Sequence, residues 1–237
     1  MENWEWRVES ILQDKNVKNF IFEYHHMWIL EIIQLAIILA VSIWMHEYAH
    51  AYVSYRLWDP TPKLQWRLTP NPIKHIDPIG FLMVFVAHFW RGKPVQVNPL
   101  YYKNPRKWEL MVALAWPATN LVLAIIGIFV ILIYVKLMGW TPNDIYLNTT
   151  DLMIEFWKNF IWLNIGLAIF NLIPIAPLDG YRLIKIRWYK WAEWMEKNSR
   201  FGVIFVIALV YIASPVFVTV INFIFNFLFT IIGQMFY

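Results

Sequence analysis

Thirty-seven consecutive residues, Phe201–Tyr237, carry no charged side chain, and Met27–Trp44 carries only Glu31. Runs of this length can reach across a hydrocarbon core about 30 Å thick, which takes about 20 residues of helix. In lipid the backbone must satisfy its own hydrogen bonds, so such runs are held to helical structure. Met111–Val135 and Asn159–Leu178 repeat the pattern. The expected fold is an all-α polytopic membrane protein with about four to six transmembrane or re-entrant helices. Composition agrees, since 59% of the residues are hydrophobic and only 15% charged, against about half and a quarter in soluble domains.

Between the apolar runs lie shorter features. Residues 1–26 read as an interfacial segment, with Trp4, Val8, Ile11 and Leu12 at helical spacing. Lys63–Thr69 alternates like a short strand and Pro94–Asn98 suggests a second, which together would make a small membrane-associated β element. Gly80–Trp90 is apolar but only eleven residues long, so it is expected to be re-entrant or packed inside protein. Lys185–Arg200 is cationic, with Trp188, Trp191 and Trp194 on one stripe, and reads as a surface helix. Pro215 is expected to kink or divide the last run. The chain is thus organised as an interfacial segment (1–26), a transmembrane core (27–186), and an interfacial segment with one or more C-terminal helices (187–237).

Charge orients these pieces. Arg56–Lys74 holds four basic residues, Arg91–Lys107 five and Lys185–Arg200 five, whereas Gly139–Trp157 holds none. The positive-inside rule places the first three on the cytoplasmic side and the last on the far side. The basic residues form no groove-sized patch, so nucleic acid is not an expected partner. The lipid bilayer is one.

One of the apolar helices ends in chemistry. His46-Glu47-Tyr48-Ala49-His50 puts two imidazoles four residues apart on one helical face, where they can grip one metal ion, with Glu47 placed as general base. Ionisable groups at membrane depth are costly and point to function. The chain has no cysteine, so a metal must be held by His and carboxylate. A catalytic zinc site takes three protein ligands and keeps one position open. Asp179 is the best third candidate, an acid in apolar surroundings after the proline-broken stretch Asn171–Gly180. Charge bias puts it at the same depth as His46 and His50. Asn120, Asn171 and His75 are candidates for contacting substrate or a developing oxyanion. Zinc suits these ligands, although ligand type alone leaves other divalent metals open.

His46-Glu-Tyr-Ala-His-Ala51 together with Asn171-Leu-Ile-Pro-Ile-Ala-Pro-Leu-Asp-Gly180 resembles the site-2 protease family of intramembrane zinc metallopeptidases, in its compact prokaryotic branch. The likeness extends through Asp59–Leu64, His75–Gly80, Lys93–Pro99 and Pro117–Asn120, and covers roughly Ile43 to Leu183. It implies one zinc per chain held by His46, His50 and Asp179, with Glu47 activating water. It also implies a zinc metalloendopeptidase that cuts the transmembrane segments of single-span membrane proteins, near the cytoplasmic side of a prokaryotic cell membrane, as in regulated intramembrane proteolysis. The chain departs from the family where Trp66 and Trp116 stand at places usually held by glycine, and where Tyr181 follows the Leu-Asp-Gly motif. Trp66 and Trp116 motivate an alternative, a non-proteolytic zinc-binding membrane scaffold. A metal transporter is a third reading, but it lacks a ladder of ligands along the other spans.

Overall fold

The computed structural model describes residues 15–75, 77, 95–147, 151–176, 178–185 and 188–236. Residues 1–14, the expected re-entrant stretch Gly80–Trp90 and Pro94 lie outside them. Among the described residues, four helices are long and apolar enough to cross a membrane, over Ile29–Arg56, Pro105–Leu137, Leu152–Phe170 and Tyr211–Gly233. The molecule is an all-α integral membrane protein.

Chain contacts divide it into two units, residues 1–39 and 40–237. Helix α1, Lys15–Arg56, runs through the boundary. In the first unit Ile29, Leu30, Ile33 and Ile37 are exposed, as lipid-facing side chains should be when no water surrounds them. The second unit adds α2 (Thr61–Leu64), α3 (Pro105–Leu137), α4 (Asp144–Leu147), α5 (Leu152–Phe170), α6 (Tyr181–Lys185), α7 (Tyr189–Lys197) and α8 (Ser199–Gly233). Its core forms where α3, α5 and α8 meet. Ala124, Ile128, Ile131 and Val135 line one face of α3, and Ile221, Phe225, Phe229 and Ile232 line one face of α8, at the three- and four-residue steps of a helical stripe. Asn164 of α5 donates to Ser42 Oγ of α1 at 2.9 Å, a buried polar tie of the kind that joins helices in lipid.

Three expectations change. Among the described residues no strand forms. Lys63–Thr69 does not extend: Pro62 starts α2, and the chain turns back at Trp66, so its alternation is that of a helical turn followed by a bend. The third span starts at Leu152 rather than Asn159. Asp151 caps it by accepting from the Met153 and Ile154 amides, which moves Glu155 and Lys158 into the first turns of the helix. The last run is not divided. Pro215 removes the donor that would reach the Tyr211 carbonyl, and Ser214 Oγ donates to that carbonyl instead, at 3.1 Å. The expected surface helix is α7, with Trp188, Trp191 and Trp194 all exposed.

Three helices end in the same way. At the end of α1, Trp58 N donates to Tyr55 O and Asp59 N to Ser54 O. At the end of α2, Trp66 N donates to Lys63 O and Arg67 N to Pro62 O. At the end of α3, Gly139 N donates to Lys136 O and Trp140 N to Val135 O. This paired pattern is the Schellman cap, whose first residue beyond the cap adopts left-handed φ and is usually glycine. The residues there have φ of 72° (Trp58), 57° (Trp66) and 71° (Gly139).

Candidate active site

His46 and His50 lie in the last turns of α1 and are both buried. The spacing of four sets them on one face, their ring centroids 5.3 Å apart. His50 Nδ1 lies 3.0 Å from the Val112 carbonyl oxygen. A carbonyl only accepts, so Nδ1 carries the proton and Nε2 is left to face outward. That Nε2 is 3.2 Å from Asp179 Oδ2. With Nδ1 protonated in neutral His50, two lone pairs face each other across this gap, an arrangement that a cation resolves. His46 Nδ1 is buried with no hydrogen-bond partner. One ligand atom from each of His46, His50 and Asp179 lies within 4.8 Å of the others, so these residues could hold a metal ion.

Asp179 reaches this place through the broken segment after α5. The chain turns repeatedly between Phe170 and Leu178, with Ile173 N donating to Phe170 O and Leu178 N to Ile175 O. Gly180 then passes against the backbone at Leu172 and Ile173, where a Cβ would collide with the Ile173 carbonyl. Glycine at 180 is what lets the turn carrying Asp179 close. Arg182 Nε stands 3.4 Å from Asp179 Oδ1.

Glu47 is buried between the two histidines in sequence and within electrostatic reach of His50 and Asp179. The Val95 amide donates to its Oε2 at 2.9 Å, leaving Oε1 free of that bond. Val95 is brought there by a polar knot around Asp59, which is fully buried. Asp59 accepts from Ser54 Oγ at 2.8 Å, from the Thr61 amide at 2.9 Å and from the Asn98 amide at 2.7 Å. Tyr102 OH meets Ser54 Oγ at 2.7 Å, and burial pushes the Tyr102 phenol up to about 12. The end of α1 is thereby tied to the segment that holds Glu47.

The remaining candidates are placed differently. Asn120 is buried on α3, its Oδ1 without a partner. Asn171 closes the end of α5 and donates from Nδ2 to Leu167 O at 2.9 Å. His75 sits in the loop after α2, donating from Nε2 to Thr69 O at 3.1 Å. Burial lowers its pKa, and the neighbouring Arg67 charge lowers it further. Arg67 donates to the Lys74 carbonyl and carries its charge toward Glu47. Sequence reasoning does not single out Arg67, Arg182, Val95 or Val112. The last two act through backbone atoms, which leave no signature in residue type. Trp116 of α3 packs against both of these imidazoles, tilted over His50 and edge-on to His46.

A family model, that of peptidase family M50, matches residues 34–215. The chain belongs to this family. Among known relatives of this M50 peptidase, YwhC of Bacillus subtilis, a candidate zinc metalloprotease, is 44% identical over 151 residues, covering 64% of this chain and 67% of its own. Rip2 of Mycolicibacterium smegmatis, likewise a candidate zinc metalloprotease, is 30% identical over 60% of this chain and 52% of its own. Rip2 of Mycobacterium tuberculosis is 28% identical over 61% and 53%. The match thus spans about half the length of the mycobacterial relatives. No solved structure gives a significant match.

Proposed function

We propose that this M50 peptidase is a zinc endopeptidase that hydrolyses peptide bonds within the membrane-spanning segments of single-span protein substrates. The reading is carried by one observation. His46 and His50 from an apolar helix and Asp179, some 130 positions on, converge to within 4.8 Å, with Glu47 buried beside them. Two imidazoles and a carboxylate are a donor set that suits zinc. The orphaned His46 Nδ1 and the lone pairs facing each other between His50 and Asp179 fit a cation held there, so His46, His50 and Asp179 would be its ligands. When bound, zinc supplies Lewis acidity that polarises a peptide carbonyl and makes a water molecule more acidic.

The protein's own groups do the rest. The Val112 carbonyl fixes the His50 tautomer and Arg182 steadies Asp179, the outer partners that keep ligands aimed. Glu47, steadied through Oε2 by the Val95 amide, takes a proton from the attacking water on Oε1. It then delivers that proton to the departing amide nitrogen. The apolar helices around it limit the water that enters, which strengthens each charge in the site. Positive-inside charge bias supports a site near the cytoplasmic border of a prokaryotic cell membrane, reached from within the bilayer.

The test compares zinc-loaded wild type with Glu47→Gln in detergent on model single-span substrates, with products read by mass spectrometry. The expected outcome is cuts inside the apolar segment by wild type. These should fall at least 100-fold with Glu47→Gln, in line with general-base contributions of about 10²–10⁴, and vanish with a chelator. Zinc bound stoichiometrically with no cut by either protein would favour the scaffold reading.

A further inference from the structure

Trp116 touches both imidazoles that would hold the metal. Its ring is tilted over the His50 imidazole, with centroids 5.6 Å apart, and stands edge-on to that of His46. Aromatic pairs ordinarily sit about 4.5–7 Å apart, so the indole packs directly on the two imidazoles. The indole Nε1 is buried with no hydrogen-bond partner, although a buried donor ordinarily finds one. A side chain that crowds a ligand and leaves its own polar atom unsatisfied is not serving the packing around it.

Two other tryptophans show the same mismatch in the backbone. Trp58 and Trp66 stand at the left-handed position of Schellman caps, and the chain's own third cap fills that position with Gly139 at nearly the same φ. Both indoles project outward, 69% and 79% exposed, so no burial offsets the conformation. The whole chain has 15 Trp and 8 Gly, where ordinary usage of about 7% glycine would give about 17.

We infer that residue 116 sets access to the metal site: indole closes the approach to His46 and His50, and a small side chain or none opens it. The inference rests on the proposed peptidase reading, but its test separates the two. Full-length wild type, Trp116→Gly and Trp116→Ala are loaded with zinc in detergent, and Trp66→Gly serves as a control away from the ligands. Zinc release to the chromogenic chelator 4-(2-pyridylazo)resorcinol and cleavage of single-span substrates are followed side by side, with the melting temperature recorded for each protein.

Release at least 10-fold faster from both residue-116 variants, with Trp66→Gly like wild type, is the expected result, accompanied by a rise in kcat/KM of similar size. Faster release with no cleavage by any protein would keep the access role and sink the peptidase reading. Equal release and equal cleavage across wild type and both variants would overturn the inference. Failure of every protein to bind zinc would overturn it as well. Should Trp116→Gly lose its melting transition, Trp116→Ala decides by the same criteria.

Discussion

Single residues carry the sharpest expectations. A non-glycine residue in the left-handed region costs about 1–2 kcal/mol, so Trp66→Gly should raise stability by about 1 kcal/mol. Trp58→Gly should gain less, because Lys103 Nζ lies 5.5 Å from the Trp58 ring centre, and an exposed cation–π contact is worth about 0.5–1 kcal/mol. Chemical denaturation in mixed micelles measures both; a loss of stability on either change would contradict the cap assignment. At Gly180 the direction reverses. Gly180→Ala puts a methyl into the Ile173 carbonyl and should cost at least about 2 kcal/mol, the scale of overpacking. It should also weaken zinc binding about 10–100-fold, as losses in the support of a ligand do, which a metal titration against wild type would show. The residues that could hold a metal were legible in the chain. The His46–His50 spacing is a helical constraint, and Asp179 announces itself as an acid inside a proline-broken apolar stretch. Arg182 was recoverable too, three positions beyond Asp179, whereas Arg67 reaches Glu47 across a loop whose path no periodicity encodes.

Among the elements, the loop after α2 has a pH signature. His75 is buried and its pKa is lowered, so the folded loop resists a proton that the unfolded loop takes up near 6.5. Its contribution is complete above that pH and is lost as pH falls below it. Amide hydrogen exchange across residues 67–75 should therefore speed up at pH 5 relative to pH 8, beyond the intrinsic chemistry. In His75→Gln, whose amide can still donate to Thr69 O, the difference should disappear. A wild-type loop equally protected at both pH values would rule the account out. This loop also shows where reading a sequence by period fails. Polar–apolar alternation in Lys63–Thr69 matches a strand, but Pro62 and the reversal at Trp66 decide the local conformation, and caps outrank a pattern only seven residues long. The start of α5 escapes the sequence for a related reason. Counting charges locates the hydrocarbon core, while the helix begins wherever Asp151 caps it.

For the molecule as a whole, the spans were legible because lipid leaves a long apolar segment so few alternatives. What the sequence did not display is how the spans grip one another. Asn164 and Ser42, 122 positions apart, meet inside the second unit, and neither stands out in a run of apolar residues. A double-mutant cycle of Ser42→Ala and Asn164→Ala should return a coupling of about 0.6 kcal/mol, the average for such bonds between membrane helices; zero coupling would demote the bond to a coincidence of packing. The Schellman caps at Trp58 and Trp66 have a consequence of another kind, in the language of decoding. Tryptophan and glycine are neighbours in the codon table: UGG and GGG differ by one base. A single substitution in the gene therefore suffices to replace either tryptophan with the residue that its left-handed φ accommodates.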